Sequence, residues 1–250
     1  MKTDEMRQLL EAAYEAYARP DFLENDPIKI PHRYSKKEDV EISGFLAATI
    51  AWGNRTSIIN NAKRLMHYMD DSPADFISHH KPQDRQRLKG FVHRTFNETD
   101  VMYFFERLQR LYRDEGGLED AFGHGPTTRD RISNFHQIFF DHEFPQRTTK
   151  HVSNPAKGSS AKRLNMYLRW MVRPNTEKVD FGIWKSMHPK DLMMPLDVHT
   201  GNVGRTLKLL HRKQNDWKAV SELTEALRKF DPNDPVKYDY ALFGMGVNKV

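Results

Sequence analysis

Apolar residues recur with helical spacing along most of the chain, and this periodicity limits the possible folds more than any other feature. Several stretches place apolar side chains at positions i, i+3, i+4 and i+7, which is typical of amphipathic helices. They cover residues 6–17, 42–50, 102–112, 132–139, 164–171, 203–210 and 217–230. No convincing alternation of apolar and polar residues indicates strands, and no internal repeat is present. The sequence therefore predicts an all-α fold of about ten helices.

The composition excludes several kinds of site. The chain contains no cysteine, so disulfides, thiolate zinc sites and cysteine-ligated iron–sulfur clusters are impossible. The longest apolar run, residues 45–52, is too short to span a bilayer, and the N-terminus lacks the apolar core of an export signal. We therefore expect a cytoplasmic protein that does not contact membranes.

One stretch of the chain is strongly basic, although the formal net charge is only +5. Residues 144–176 include no Asp or Glu. They carry Arg147, Lys150, Lys157, Lys162, Arg163, Arg169 and Arg173. A positive surface of this kind attracts polyanions by releasing the counterions condensed on phosphates. A solvated basic surface without a partner is an equally good interpretation of the charge alone.

The segment 158–168 has the pattern of a small-residue turn that opens directly into an amphipathic helix. Free backbone N–H groups and the helix dipole at such a turn predict a phosphate-binding site. Lys162 lies in the first helical turn and points away from the apolar stripe of Leu164, Leu168 and Met171. Two roles are open to it. Its amine is a candidate nucleophile, or it is a surface lysine that contacts phosphate.

Asp197 follows Pro195 and precedes the apolar stripe that begins at Val203, which is the expected position of a helix N-cap. An alternative function is a metal-dependent hydrolase built on Asp197 and His199 with His79 and His80. The sequence offers no third or fourth ligand at a recognised spacing, so we predict no metal site.

Three segments in order resemble the helix-hairpin-helix DNA glycosylases of the endonuclease III superfamily. Residues 158–168 resemble the hairpin Gly-x-Gly-x-Lys-Thr-Ala-Asn-x-x-Leu. Residues 195–199 and 203–205 resemble the signature Val-Asp-Thr-His-x-x-Arg, and residues 45–56 resemble the early family helix. The whole chain is also similar to bacterial proteins grouped only as a domain of unknown function.

The chain departs from the superfamily pattern at several points. Ser160 replaces the second hairpin glycine, and Trp52 stands where the family often has Gln. Ala156 and Lys157 replace the Leu-Pro pair before the hairpin. The spacing from Lys162 to Asp197 is wider than in endonuclease III, and the insertion resembles that of archaeal 8-oxoguanine glycosylases. The four-cysteine cluster motif is absent, so we expect no iron–sulfur cluster and no other cofactor.

The resemblance implies a two-lobed helical fold. Residues 37–176 would form the lobe with the hairpin, and residues 1–36 with 177–250 would form the second lobe, with Lys162 facing Asp197 across the cleft. It also implies a monomer that acts on damaged duplex DNA, with Lys162 and Asp197 as catalytic residues. The implied DNA contacts are Asn54, Arg55, Lys157, Gly158, Ser159, Ser160, Arg163 and Arg169. The implied base pocket holds Trp52, Trp170 and His199.

The resemblance therefore implies a DNA repair glycosylase that removes a damaged, for example oxidised, base and also cleaves abasic sites. The alternative is a non-catalytic DNA-binding protein of the same fold. The altered hairpin favours this alternative, and the retention of both Lys162 and Asp197 favours the enzyme.

Overall fold

A computed structural model describes residues 3–248 of the chain. Helix accounts for 64% of the structure and strand for 2%, so the all-α prediction is confirmed. The α-helices are α1 (Thr3–Tyr17), α2 (Lys37–Thr49), α3 (Arg55–Tyr68), α4 (Pro73–His79), α5 (Glu98–Asp114), α6 (Gly117–Ala121), α7 (Thr128–Phe139), α8 (Lys162–Val172), α9 (Val198–Thr206), α10 (Trp217–Arg228) and α11 (Tyr238–Asn248). Two short antiparallel strands, β1 (Val92–His93) and β2 (Phe96–Asn97), precede α5.

Short 3₁₀ helices connect many of these elements, and most of them begin at a proline. Proline suits the first helical position, where its missing N–H has no partner to lose. These 3₁₀ helices are Pro20–Asn25, Pro27–Lys29, Pro31–Arg33, Asp84–Leu88, Gln146–His151, Pro155–Lys157, Pro189–Asp191 and Pro235–Lys237. Among the described residues, no helix is both long enough and apolar enough to cross a membrane.

The chain divides into two compact units. Within the described residues, the terminal unit comprises 3–24, 127–129 and 154–248, and the central unit comprises Asn25–Pro126 and Asp130–Ser153. The sequence predicts boundaries near 37 and 176 instead. Residues 154–176, which that prediction assigns to the lobe without Asp197, therefore lie here in the unit that contains Asp197.

Aromatic rings fill the core of the central unit. Phe45 of α2 lies against Phe104 of α5 and against Phe135 and Phe139 of α7, with ring centroids 5.8, 5.6 and 5.7 Å apart. All four side chains are completely buried. Rings of this size contribute large apolar areas to a core, so the apolar stripes of these three helices explain their packing.

The terminal unit is built on the packing of the last helix against the first and against α9. A Cβ atom at Gly244 of α11 would overlap the ring of Tyr17 in α1, so the close approach of these two helices requires glycine there. The other neighbour of α11 is α9, the helix that Asp197 caps. The packing of the last helix therefore helps to position a predicted site residue.

Candidate functional site

The turn before α8 has the backbone geometry of a tight, small-residue loop. Gly158 has a φ of +88°, a left-handed conformation that glycine adopts without steric cost. Ala161, at φ +47°, is also left-handed and directly precedes α8. The side chain of Asn165 donates a hydrogen bond to the Ser160 carbonyl at 3.0 Å, which fixes the end of the turn. The turn thus delivers Lys162 as the first residue of the helix.

Asp197 uses its two carboxylate oxygens differently. Oδ1 accepts a hydrogen bond from the Thr200 N–H at 2.9 Å, so Asp197 is the N-cap of α9, as its sequence position predicts. Oδ2 lies 3.7 Å from the Lys162 Nζ. The two side chains are 30% (Lys162) and 20% (Asp197) exposed, so the ion pair is accessible to solvent.

The loop between α9 and α10 connects the two segments that carry this pair. Ser159 and Asp216 form an antiparallel bridge, and the Trp217 N–H donates to the Gly158 carbonyl at 3.1 Å. In the same loop, the side chain of Asn215 donates to the carbonyl of Asp197 at 3.2 Å. The loop 212–216 therefore contacts both the turn before Lys162 and the backbone of Asp197.

Arg205 of α9 holds this loop in place. Its guanidinium donates to the carbonyls of Arg212 at 2.8 Å and Lys213 at 2.9 Å, and to Asn215 Oδ1 at 2.6 Å. A Cβ atom at Gly201 would lie only 2.9 Å from the Arg205 guanidinium and 3.0 Å from Asn215 Oδ1, so this position favours glycine. The predicted signature includes Arg205, but nothing in the sequence pattern singles out Asn215.

A further carboxyl group near the pair was missed by the sequence analysis. Asp239 lies in the first turn of α11, is buried, and forms an ion pair with Arg169. Burial raises its pKa to about 6, against the lowering effect of the Arg169 charge. The charge of Asp197 raises this pKa further and that of Lys162 lowers it. The signal available in the sequence was an acidic residue within a largely apolar helix.

The structure corrects two predicted site residues, the DNA contact Arg169 and the base-pocket residue Trp170. Arg169 is 3% exposed and pairs with Asp180 and Asp239, so it cannot reach a phosphate. Trp170 is completely buried and presents no ring face on which a base could stack. The reason is that α8 is buried on all sides from Leu164 to Val172, whereas its periodicity predicts a single buried face.

The acid-free stretch is consequently not one continuous exposed surface. Arg173 is also buried, and its guanidinium lies 2.5 Å from Asp180 and 2.9 Å from Asp234. In the central unit, Arg147 pairs with Asp100. These cations neutralise acidic groups from other parts of the chain, which a scan of a single stretch cannot reveal.

The remaining predicted residues of the terminal unit keep some exposure. Lys157 and Gly158 are exposed, and Ser159, Ser160 and Arg163 are half-buried. Burial lowers the pKa of the Arg163 guanidinium to about 10, so that it stays protonated at neutral pH. His199 is exposed, and its ring lies 6.1 Å from that of Phe243.

In the central unit, Trp52 is half-buried between two histidine rings. Its centroid is 5.0 Å from the His93 ring, edge to face, and 5.8 Å from the His151 ring, which is stacked on it. Asn54 is the N-cap of α3, since its side chain accepts a hydrogen bond from the Ser57 N–H at 3.1 Å, and Arg55 is exposed. Trp52 therefore retains a partly accessible aromatic side chain beside an exposed helix start.

Among residues 3–248, no group of three or more His, Cys, Asp or Glu side chains is arranged to hold a metal ion.

The model of the family described as "Protein of unknown function (DUF2400)" matches residues 26–248. No curated protein and no solved structure matches the chain significantly.

Proposed function

We propose that the chain, which belongs to the DUF2400 family, is a DNA repair glycosylase with abasic-site lyase activity. The observation that carries the proposal is the Lys162–Asp197 pair. Two segments far apart in the sequence bring an amine and a carboxylate within 3.7 Å of each other, both accessible to solvent. The resemblance of these segments to the endonuclease III superfamily supplies the reaction class.

The turn before α8 suits the binding of a DNA phosphate. Backbone N–H groups and the partial positive charge of a helix N-terminus stabilise an anion. None of the residues in the first turn of α8 is acidic. The phosphate would lie beside Lys162 and hold the damaged nucleotide in register with it.

The chemistry would proceed on a nucleotide that has been flipped out of the duplex. The Lys162 Nζ attacks the anomeric carbon of the sugar, the C–N bond to the base breaks, and the base leaves with the bonding electrons and takes up a proton. Asp197 stabilises the oxocarbenium-like transition state by its negative charge and accepts a proton from the amine. The C1′–O4′ bond of the resulting aminal then breaks, O4′ takes up the proton held by Asp197, and a Schiff base forms between C1′ and the lysine nitrogen. This Schiff base permits strand scission by β-elimination.

Borohydride reduction tests this proposal, because it converts a Schiff base into a stable covalent link. The full-length protein is incubated with a panel of duplexes that carry oxidised, deaminated, alkylated or abasic sites. We expect the wild type to be trapped on at least one of them. Lys162→Gln should abolish trapping and leave DNA binding largely intact, since glutamine retains much of the length and polarity but cannot form an imine.

Lys157→Gln tests the nearest alternative nucleophile, because Lys157 lies in the same turn. Since Lys157 is also a predicted DNA contact, we expect this variant to bind DNA more weakly and still to be trapped. Lys178→Gln, at an exposed lysine of the same unit, is the matched control. Trapping that depends on Lys157 and not on Lys162 would show that the nucleophile has been assigned to the wrong residue. A wild type that binds DNA but is trapped on none of the substrates would contradict the catalytic proposal.

A second candidate function is a DNA-binding protein of the same fold without catalysis. Two observations favour it: Ser160 replaces a glycine of the hairpin pattern, and Trp170 is withdrawn into the core. DNA binding without covalent trapping is the result that this candidate predicts.

A further inference from the structure

The loop between α9 and α10 lies directly against the turn before α8, so that two backbone segments are adjacent at this position. The hydrogen bond from the Trp217 N–H to the Gly158 carbonyl joins the two. Lys157 precedes one partner of this bond and Lys218 follows the other, so the two lysines come from adjacent backbone. Lys213 lies in the same loop, and the Arg205 guanidinium holds its carbonyl at 2.9 Å.

The charge around these lysines is positive. Residues 198–221 contain only one acidic residue, Asp216. Its carboxylate accepts hydrogen bonds from the Arg212 side chain at 2.7 and 2.5 Å and caps α10 at the Ala219 N–H, so its charge is offset within the fold. Nearby, Glu222 accepts a hydrogen bond from the His211 N–H at 2.5 Å.

The three lysines themselves are not used by the fold. Lys157, Lys213 and Lys218 are exposed, and within residues 3–248 their amines form no ion pair or hydrogen bond. Exposed like charges repel one another and add nothing to stability. An anionic partner is the simplest source of a favourable interaction for them.

The surroundings favour nucleic acid over a membrane or a protein. The exposed residues of 211–218 are histidine, lysine, glutamine and asparagine, and the one aromatic residue, Trp217, is buried. Membrane-surface helices and the centres of protein interfaces need exposed apolar or aromatic side chains. A polyphosphate backbone needs only cations and polar groups.

We propose that Lys157, Lys213 and Lys218 form a second contact surface for the DNA backbone, next to the phosphate held by the turn before α8. This inference rests on the proposed function and extends it from Lys157, a contact that the resemblance implies, to Lys213 and Lys218, which lie outside the predicted motif. The contacts are independent of sequence, because they involve phosphates and no base edges. Arg205 and the Arg212–Asp216 pair hold the loop that presents Lys213 and Lys218.

The test is a salt titration of DNA binding by the full-length protein, with an undamaged duplex as the probe. The double variant Lys213→Gln/Lys218→Gln is compared with wild type. Each phosphate contact contributes about 0.9 to the slope of log K against log salt. We therefore expect the variant to bind more weakly at low salt, with a slope smaller in magnitude by about 2.

Lys178→Gln/Lys229→Gln is the matched control. It removes the same charge from two exposed lysines of the same unit, and Lys229 lies at the opposite end of α10. We expect its slope to equal that of wild type. Equal decreases of the salt slope in both double variants would overturn the second contact surface, and so would an unchanged slope in Lys213→Gln/Lys218→Gln. Either result would leave the proposed function intact. A wild type that binds no DNA at low salt would overturn both.

Discussion

Asp197 combines a structural and a chemical role in one side chain. One oxygen accepts the Thr200 N–H, as an ordinary N-cap does, and the other faces the Lys162 amine. A cap fixes the orientation of a carboxylate by a backbone hydrogen bond, and this orientation directs the second oxygen at its partner. An Asp that caps a helix, which is its common role, can therefore also face a reactive amine.

Substitutions at Asp197 separate the two roles. Asp197→Asn retains a cap acceptor and loses the charge, so we expect little change in melting temperature and a marked loss of borohydride trapping. Asp197→Ala loses the cap as well and should destabilise the protein by about 0.5–2 kcal/mol. Thermal denaturation and trapping yield are measured on the same preparations. Full trapping by Asp197→Asn would restrict Asp197 to its capping role.

The sequence predicts the surroundings of a single residue correctly where its neighbours in the sequence determine them. The cap at Asp197 follows from its neighbours in sequence, and so does the small-residue turn at Gly158. The environment of Arg169 does not, because one of the carboxylates that surround it, Asp239, comes from a distant segment, and the other, Asp180, lies beyond the end of α8. For the same reason Asp239 could not be recognised as a neighbour of the pair.

At the scale of elements, the loop 212–216 determines how the turn before α8 and the start of α9 are held. Asn215 contributes a side-chain hydrogen bond to the Asp197 carbonyl and accepts one from Arg205. The same Asp197 carbonyl accepts the first helical hydrogen bond of α9, from the Gly201 N–H at 2.9 Å. Removal of the Asn215 side chain should therefore loosen the helix start that orients Asp197.

Asn215→Ala tests this role. We expect faster amide exchange at Gly201 and its neighbours and a loss of about 1 kcal/mol of local stability, the typical net contribution of a hydrogen bond. Hydrogen-exchange mass spectrometry of peptides that cover 197–204 provides the measurement. Gln214→Ala is the control, because Gln214 is an exposed neighbour in the same loop. Identical exchange in the two variants would show that Asn215 does not brace α9.

At the scale of the whole molecule, the helices could be predicted and the grouping of the helices could not. Apolar periodicity reports which face of a helix is buried, but not which distant helix covers it. Here α1 packs on α11, and the segment 154–176 belongs with the C-terminal helices. A boundary at 176 is natural in the sequence because α8 ends near it. Residues of α8 nevertheless form hydrogen bonds and ion pairs with residues further along the chain, namely Asp180, Phe181, Trp184 and Asp239.

The stability of the molecule in acid should depend strongly on one buried carboxylate of the central unit. Asp100 is completely buried. Burial raises its pKa, but this effect is outweighed by the His151 side chain, whose Nε2 lies 3.3 Å from the carboxylate, and by hydrogen bonds from the Asn97 N–H and Thr148, which together hold the pKa at about 2. Because the folded pKa lies below the unfolded value, the charged form stabilises the fold above about pH 4, and this contribution is lost as the pH falls toward 2.

Asp100→Asn should therefore destabilise the protein most at pH 5 and above. The difference in unfolding free energy between wild type and variant should shrink by about 2 kcal/mol between pH 5 and pH 2, which is the linkage value of the shift. Denaturant unfolding followed by circular dichroism across this range measures it, with the exposed Asp114→Asn as control. A difference that stays constant with pH would mean that Asp100 stabilises the central unit by packing and neutral hydrogen bonds and not by its charge.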